Sequence, residues 1–225
     1  MWLYEVCKGV HCVYTRTLEH QAALFCRPTE HHESIEFAGK IFSFEQYRSW
    51  FMHAYPKAKE TGVFVYPTEF RAFNIPVSAL DRFYNFEFNP LSQEEIDLLY
   101  MCQHLPKEDY LIGVSVRSDA TDGRHEVAHG LKHTNPEYWA EVEEVLNNLP
   151  AKVIDPVTEY MHFQTYHPNV VRDEVHAYIM CELRDMAKDG VPVEELKDPS
   201  KRLHETFDKW FAPTTEFGAD LCKVP

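Results

Sequence analysis

The sequence has no long apolar run and relatively few basic side chains. No stretch of its 225 residues approaches 18 consecutive apolar residues, and the first residues lack the basic start and apolar run of a signal peptide. Lysine and arginine number 22 against 36 aspartates and glutamates, which gives a formal net charge of −14 at pH 7. Such a surface repels phosphate backbones. We therefore expect a cytoplasmic protein with no membrane span and no nucleic-acid partner, and we expect a peptide or protein as its substrate.

Paired cysteine motifs and two common catalytic motifs are also missing. The six cysteines are scattered without a CxxC pair, which is typical of reduced thiols in the cytosol, although a bridge between Cys7 and Cys12 is an open alternative. The chain contains no glycine-rich phosphate loop and no GxSxG turn. Phosphate-loop and serine-nucleophile chemistry are therefore not indicated.

The distribution of patterns predicts an α+β fold. With 44% hydrophobic residues the chain can bury a full core. We expect one domain over 1–225, with a mixed strand and helix part at 1–116 and a helical part at 117–225. A small N-terminal and central β-sheet should then pack on the mainly helical C-terminal half.

Local patterns give a first outline of the elements. Two capping boxes, Ser43 with Gln46 and Ser92 with Glu95, predict helices from 44 to 55 and from 93 to about 104, the second with Ile96, Leu99 and Tyr100 inward. Strands are predicted at 22–25, 34–37, 62–66 and 110–116, loops at 31–33 and 67–90, and further helices at 123–133, 136–146, 153–166, 170–188 and 199–210.

One motif carries chemistry, the sequence His125-Glu126-Val127-Ala128-His129. Positions i and i+4 of a helix lie on one face, so the two imidazoles can meet at one point, as two ligands of a tetrahedral zinc ion do. Glu126 is rotated by about 100° from the first histidine, which suits a base that takes a proton from water. The competing interpretation is that all three are ordinary surface residues.

A catalytic zinc ion needs a third protein ligand. Our first candidate is Glu174, which lies 174 − 129 = 45 residues beyond the second histidine on a predicted helix. The competing candidates are His176, His167 and His162. Glu174 could also be an acid that the helix dipole favours near an N-terminus.

With Glu174 in place, the segment from Gly123 to Tyr178 resembles the gluzincin branch of zinc metallopeptidases. In that branch HExxH is followed on a later helix by a glutamate ligand, here within Asp173-Glu174. The resemblance implies a zincin-like active-site helix, one Zn²⁺ ion bound by His125, His129 and Glu174, and Glu126 as general base. The chain shows no recognisable exopeptidase or neutral-endopeptidase substrate motif, so the resemblance implies chemistry more than substrate.

Two further roles need residues. A donor to the oxygen of the attacked carbonyl is expected to be Tyr178, with Tyr166 or His167 as second choices. Asp173 and Asp122 are available to orient ligand imidazoles.

These predictions favour a small intracellular zinc metallopeptidase. The alternatives are a non-haem iron enzyme that uses the same two histidines and carboxylate, and a non-catalytic interaction protein that keeps the scaffold. The oligomeric state is left open.

Overall fold

The described strands form one mixed sheet in the N-terminal half. The protein is seen in a computed structural model that describes residues 1–164 and 166–223. The strands are β1 (Trp2–Cys7), β2 (Val10–Thr15), β3 (Ala72–Pro76) and β4 (Tyr110–Ser115), in the order β1-β2-β4-β3. β2 runs parallel to β4, whereas β1 with β2 and β3 with β4 are antiparallel. The predicted α+β class is confirmed.

Helices make up most of the remaining described chain. They are α1 (Leu18–Glu33), α2 (Phe44–Ala54), α3 (Pro56–Thr61), α4 (Tyr66–Glu69), α5 (Asp81–Tyr84), α6 (Gln93–Cys102), α7 (Ala120–Thr134), α8 (Pro136–Asn147), α9 (Ala151–Phe163), α10 (Pro168–Cys181), α11 (Leu183–Lys188), α12 (Lys197–Trp210) and α13 (Glu216–Leu221). Short 3-10 helices lie at Val77–Leu80 and Glu194–Leu196.

A hydrophobic core covers each face of the sheet, and the residues of β4 contribute to both cores. These residues alternate between the two cores: Ile112 and Val114 face the core built with α7, α8, α10 and α12, whereas Leu111 faces the core built with α1, α2 and α6. All six residues of β4 are buried. A strand that is buried on both faces is apolar throughout, which is why its sequence gave the clearest strand prediction.

Both predicted capping boxes are confirmed, at the starts of α2 and α6. The predicted inner face of α6 is confirmed at Leu99, which is buried, but it is wrong at Ile96 and Tyr100, which are 46% and 75% exposed. Leu98 and Cys102 are the other apolar residues of α6 that are buried. A buried ion pair between Glu95 and Arg27 of α1 turns this face toward the interior.

The strands predicted at 22–25, 34–37 and 62–66 are wrong. The first lies inside α1, whose N-cap Thr17 accepts a hydrogen bond from the backbone of His20. The second is a turn after an isolated bridge at Ser34, and the third is bend and coil up to Tyr66, where α4 begins. The predicted loop at 31–33 is the last turn of α1. The predicted loop at 67–90 contains β3, the edge strand that borders the site described below.

The second half follows its sequence patterns closely. The helices predicted at 123–133 and 136–146 appear as α7 and α8, and Pro136 occupies the first turn of α8. The segment predicted as one helix over 170–188 is divided at Glu182 into α10 and α11. The short α13 was not predicted.

Two whole-chain expectations can be compared with the structure. All six cysteines are free thiols, so Cys7 and Cys12 form no bridge. None of the described helices is both long enough and apolar enough to cross a membrane.

Helix α7 packs closely on β2 at Gly130, and we expect Gly130→Ala to destabilise the protein. A Cβ there would lie 2.7 Å from Cγ1 of Val10, whose side chain is fully buried. Overpacking of this kind costs about 1–3 kcal/mol, more than the roughly 1 kcal/mol that alanine gains in helix propensity. Urea denaturation measures the difference. The double variant Val10→Ala/Gly130→Ala should recover part of the loss, and a stabilised single variant would show that the contact is not tight.

Candidate metal centre

Helix α7 carries both histidines of the motif into the interior. The helix starts at a capping box formed by Asp119 and Asp122, and its residues from Gly123 to Leu131 are buried. The imidazole rings of His125 and His129 lie 4.9 Å apart between centroids, and their residues are 9% and 1% exposed. The interpretation of these histidines as surface residues is therefore wrong.

The third candidate ligand, Glu174 of α10, meets both imidazoles. Its Oε2 lies 3.7 Å from Nε2 of His125, and its Oε1 lies 3.7 Å from Nε2 of His129. A tetrahedral zinc ion with bonds of about 2.0–2.2 Å holds its ligand atoms roughly 3.3–3.6 Å apart. Within the described residues, these three side chains form the one group of three or more potential ligands close enough to hold a metal ion.

Unpaired buried atoms show that the group fits a cation. Nε2 of His129 and Oε2 of Glu174 have no hydrogen-bond partner in the part of the chain that the structure describes. A buried polar atom without a partner costs about 1–3 kcal/mol, and most such atoms in proteins find one. A divalent cation between the two side chains would satisfy both atoms at once.

Carboxylates behind the two imidazoles can fix their orientation. Oδ1 of Asp173 lies 3.0 Å from Nδ1 of His129, and Oδ2 of Asp173 accepts a hydrogen bond from Lys132. Burial by itself would raise the pKa of Asp173, but His129 holds it well below its ordinary value. Glu182 lies 3.7 Å from Nδ1 of His125. Orienting carboxylates of this kind are the usual outer layer of a metal site.

Asp122, the other predicted orienting acid, has a different role. Its carboxylate accepts the backbone N–H of Asp119 in the capping box and pairs with Arg71 at 3.1 Å. Glu182, which the sequence analysis did not consider, takes the position behind His125 instead.

Glu126 is not a member of the three-residue group and is bound instead at the edge of the sheet. Its Oε2 accepts a 2.8 Å hydrogen bond from the side-chain amide of Asn74, which in turn accepts one from the hydroxyl of Tyr110. Asn74 pairs with Ile112 across β3 and β4, and so it faces α7. Burial raises the pKa of Glu126, although His125 and His129 partly offset this effect. A held carboxylate with a raised pKa suits proton transfer near neutral pH.

The competing third ligands lie elsewhere. His176 is fully buried, but its Nε2 lies 2.8 Å from the hydroxyl of Tyr138 and its Nδ1 lies 3.5 Å from Oδ1 of Asp173. His167 caps α10 and accepts a hydrogen bond from the backbone of Asn169. His162 is exposed on α9. The geometry therefore selects Glu174 from the predicted candidates.

The two tyrosines predicted as oxyanion donors border the site. The ring of Tyr178 lies edge-on to His125 with centroids 5.2 Å apart, and its hydroxyl is 3.3 Å from that of Tyr166. Burial, reinforced by nearby Glu174, raises the pKa of both phenols, so both keep their protons near neutral pH. Either hydroxyl is therefore available as a hydrogen-bond donor.

The surroundings of the centre are strongly acidic. Burial alone would lower the pKa of His129, yet Asp173, Glu174 and Glu126 together raise it to about 10. Burial raises the pKa of Glu33 in α1 well above its ordinary value, and nearby Glu174 and Glu30 raise it further. A buried site with this excess of carboxylates favours a cation over any neutral or anionic ligand.

The chelator-treated protein should lose stability as the pH rises. The pKa of His129 increases from 6.5 to about 10 on folding, so its protonated ring contributes stability that is complete below about pH 6.5 and is lost as the pH rises through about 10. The raised pKa of Glu126 acts in the same direction. Urea denaturation across this range measures the effect. His129→Gln should flatten the profile, and an unchanged profile would contradict the assignment.

Four residues near the centre were not identified from sequence, namely Asn74, Glu182, Glu30 and Glu33. Asn74 and Glu182 reach α7 from β3 and from the end of α10, and no local pattern marks such contacts. Glu30 and Glu33 were placed in a strand-and-loop region. The N-cap at Thr17 was the signal that could have identified α1 and placed both carboxylates on one helix face.

Comparison with known proteins does not assign the chain to a family. No protein-family model, no curated protein and no solved structure matches it. What the structure shows is a His125, His129 and Glu174 cluster that could bind a metal ion.

Proposed function

We propose that the protein is a zinc-dependent hydrolase and, more narrowly, a small metallopeptidase with one Zn²⁺ ion held by His125, His129 and Glu174. The observation that carries the proposal is the convergence of these three buried side chains beside a fourth, Glu126, that is held apart from them. Two histidines and one carboxylate leave an open position on zinc, as catalytic sites require. Six free thiols support a reducing, cytoplasmic setting.

The chain supplies a base for water. Bound zinc contributes Lewis acidity, which polarises a carbonyl and lowers the pKa of water. Glu126 accepts the proton of the attacking water, and the hydrogen bond from Asn74 fixes the carboxylate in place while it does so. The protonated carboxyl can then donate to the nitrogen that leaves, which completes hydrolysis of an amide bond.

The tyrosine pair supplies donors for the carbonyl oxygen. Negative charge develops on that oxygen when water adds to the carbon, and a donor already in place lowers the barrier. Tyr178 packs against His125, and Tyr166 lies within hydrogen-bonding distance of it. We assign the donor role to Tyr178 first and to Tyr166 second.

Metal analysis and a peptidase assay test the proposal together. Protein purified without added metal is expected to contain one zinc per chain and to cleave a mixed library of quenched fluorescent peptides, with loss of cleavage after chelation. Stoichiometric iron with oxygen consumption would replace the proposal by non-haem iron chemistry, which the same ligand set permits. Full retention of zinc with no hydrolysis of any amide substrate would favour a non-catalytic protein.

A further inference from the structure

A cavity of about 340 Å³ adjoins the metal centre. Its walls include the aromatic rings of Tyr47, Trp50 and Phe51. A smaller chamber of about 50 Å³ contacts His125, Glu126 and Glu174. Glu30, Glu33, Phe70 and Tyr166 line both spaces, so these four residues form a wall that the cavity and the chamber share. The cavity is of the size that small ligands or single side chains occupy.

Two acids line both the cavity and the small chamber. Glu30 and Glu33 lie three residues apart on α1, and therefore on one face of it. No described basic side chain forms a salt bridge with either one. The basic residue that lines the cavity, Lys57, is instead 2.7 Å from Glu69 and is 56% exposed. The inner part of the cavity thus holds two carboxyl groups that have no basic partner in the described chain.

The environment of these acids favours an incoming cation. Burial raises the pKa of Glu30 to about 7, although the hydroxyls of Tyr47, Tyr66 and Ser34 partly offset it. An ammonium or guanidinium group would relieve that cost, and carboxylates and aromatic faces are its two strongest partners in proteins.

An independent observation at the inner end also indicates a ligand. The hydroxyl of Thr29 lines the small chamber, its residue is 3% exposed, and it has no hydrogen-bond partner among residues 1–164 and 166–223. A ligand group in the chamber, which Glu30 and Glu33 also line, could bond with this hydroxyl.

We propose that the cavity binds a cationic group on an apolar or aromatic body, an ammonium or guanidinium held by Glu30 and Glu33 next to the bond that is cleaved. The position of the cation next to the cleaved bond rests on the proposed function, whereas the cation site itself requires no metal. The cation can come from a free backbone amine or from a basic side chain.

A matched pair of ligands tests the cation site without the metal. Phenethylamine and 2-phenylethanol share an aromatic body and differ in charge. Calorimetric titration of chelator-treated protein should show that the amine binds at least about tenfold more tightly, as expected for a charge-assisted hydrogen bond. Glu30→Gln/Glu33→Gln should remove this preference. Glu36→Gln, an exposed acid paired with Lys40 at 2.7 Å, is the control that should keep it.

Two further ligands distinguish the source of the cation. Phenylalaninamide carries a free backbone amine, whereas N-acetyl-lysinamide carries its charge on the side chain; the tighter binder identifies the source. Equal binding of amine and alcohol to the wild type overturns the proposal. A preference for the amine that survives in the double variant also overturns the proposal. The same holds if Glu174→Gln alone removes the preference for the amine, because the amine would then occupy the candidate metal centre. A protein without hydrolase activity can still pass this test, so the two proposals fail separately.

Discussion

Replacing His129 with alanine is expected to abolish metal binding and the metal-dependent part of the stability. Its Nε2 is one of the three converging ligand atoms and has no protein partner among the described residues. A metal present at about 1,000 times its dissociation constant stabilises the folded state by about 4 kcal/mol. At roughly 2–4 °C per kcal/mol for a chain of this size, chelation should lower the melting temperature of the wild type by roughly 10 °C.

The chelator-induced shift separates loss of metal from loss of fold. His129→Ala should melt at the same temperature with and without chelator, even if it is less stable overall. His133→Ala, one turn further along α7 and exposed, is the matched control and should keep the full shift. A variant at His129 that still binds zinc with wild-type affinity would remove the basis of the proposed site.

A graded result is expected at Asp173, which contacts His129 without being a proposed ligand. Loss of an outer carboxylate that orients a histidine ligand costs about 10–100-fold in metal affinity. Asp173→Asn should therefore lie between the wild type and His129→Ala. This order follows from the 3.0 Å contact between Oδ1 of Asp173 and Nδ1 of His129.

The His125, His129 and Glu174 cluster could be predicted from sequence because two of its three members lie close together in the chain. Two histidines four residues apart share one helix face by the geometry of the helix alone, and α7 forms where the pattern predicts it. Glu174 needed one further assumption, that its helix packs on α7. The structure brings the three together.

The first hundred residues were harder because tertiary contacts override their local signals. The run from Ala22 to Phe25 is short and apolar, which fits a strand or a buried helix equally well. Inside α1 it packs against the sheet, where Phe25 stacks on Phe73. Misassigning this helix also concealed Glu30 and Glu33, which line a chamber together with His125, Glu126 and Glu174 only because α1 is packed against the folded chain.

The contact that β3 makes with the proposed base, Glu126, could not be predicted from local sequence patterns either. Asn74 lies in a segment that is rich in aromatic residues and prolines and reads as a loop. Its importance comes from the register of β3 on β4, which turns its side chain toward Glu126. Registers of this kind depend on pairing between segments that are distant in the chain, and local sequence patterns do not show which residues pair.

Replacing Glu126 with glutamine should lower the turnover of the proposed peptidase by about 10²–10⁴-fold while leaving the metal in place. Glutamine has nearly the same shape and can still accept the hydrogen bond from Asn74, so the fold should be preserved. It cannot take a proton from water, which removes the base. Because burial disfavours the charged carboxylate, the variant should be no less stable than the wild type.

Three measurements on one preparation make this prediction specific: zinc content, melting temperature and turnover. Glu137→Gln removes an exposed acid from α8 and should leave all three unchanged. Asn74→Ala should keep zinc and lower turnover by less than Glu126→Gln, because Asn74 acts only through the carboxylate it holds. If Glu126→Gln retains both zinc and wild-type turnover, another group takes the proton, and the division between three ligands and one base is wrong.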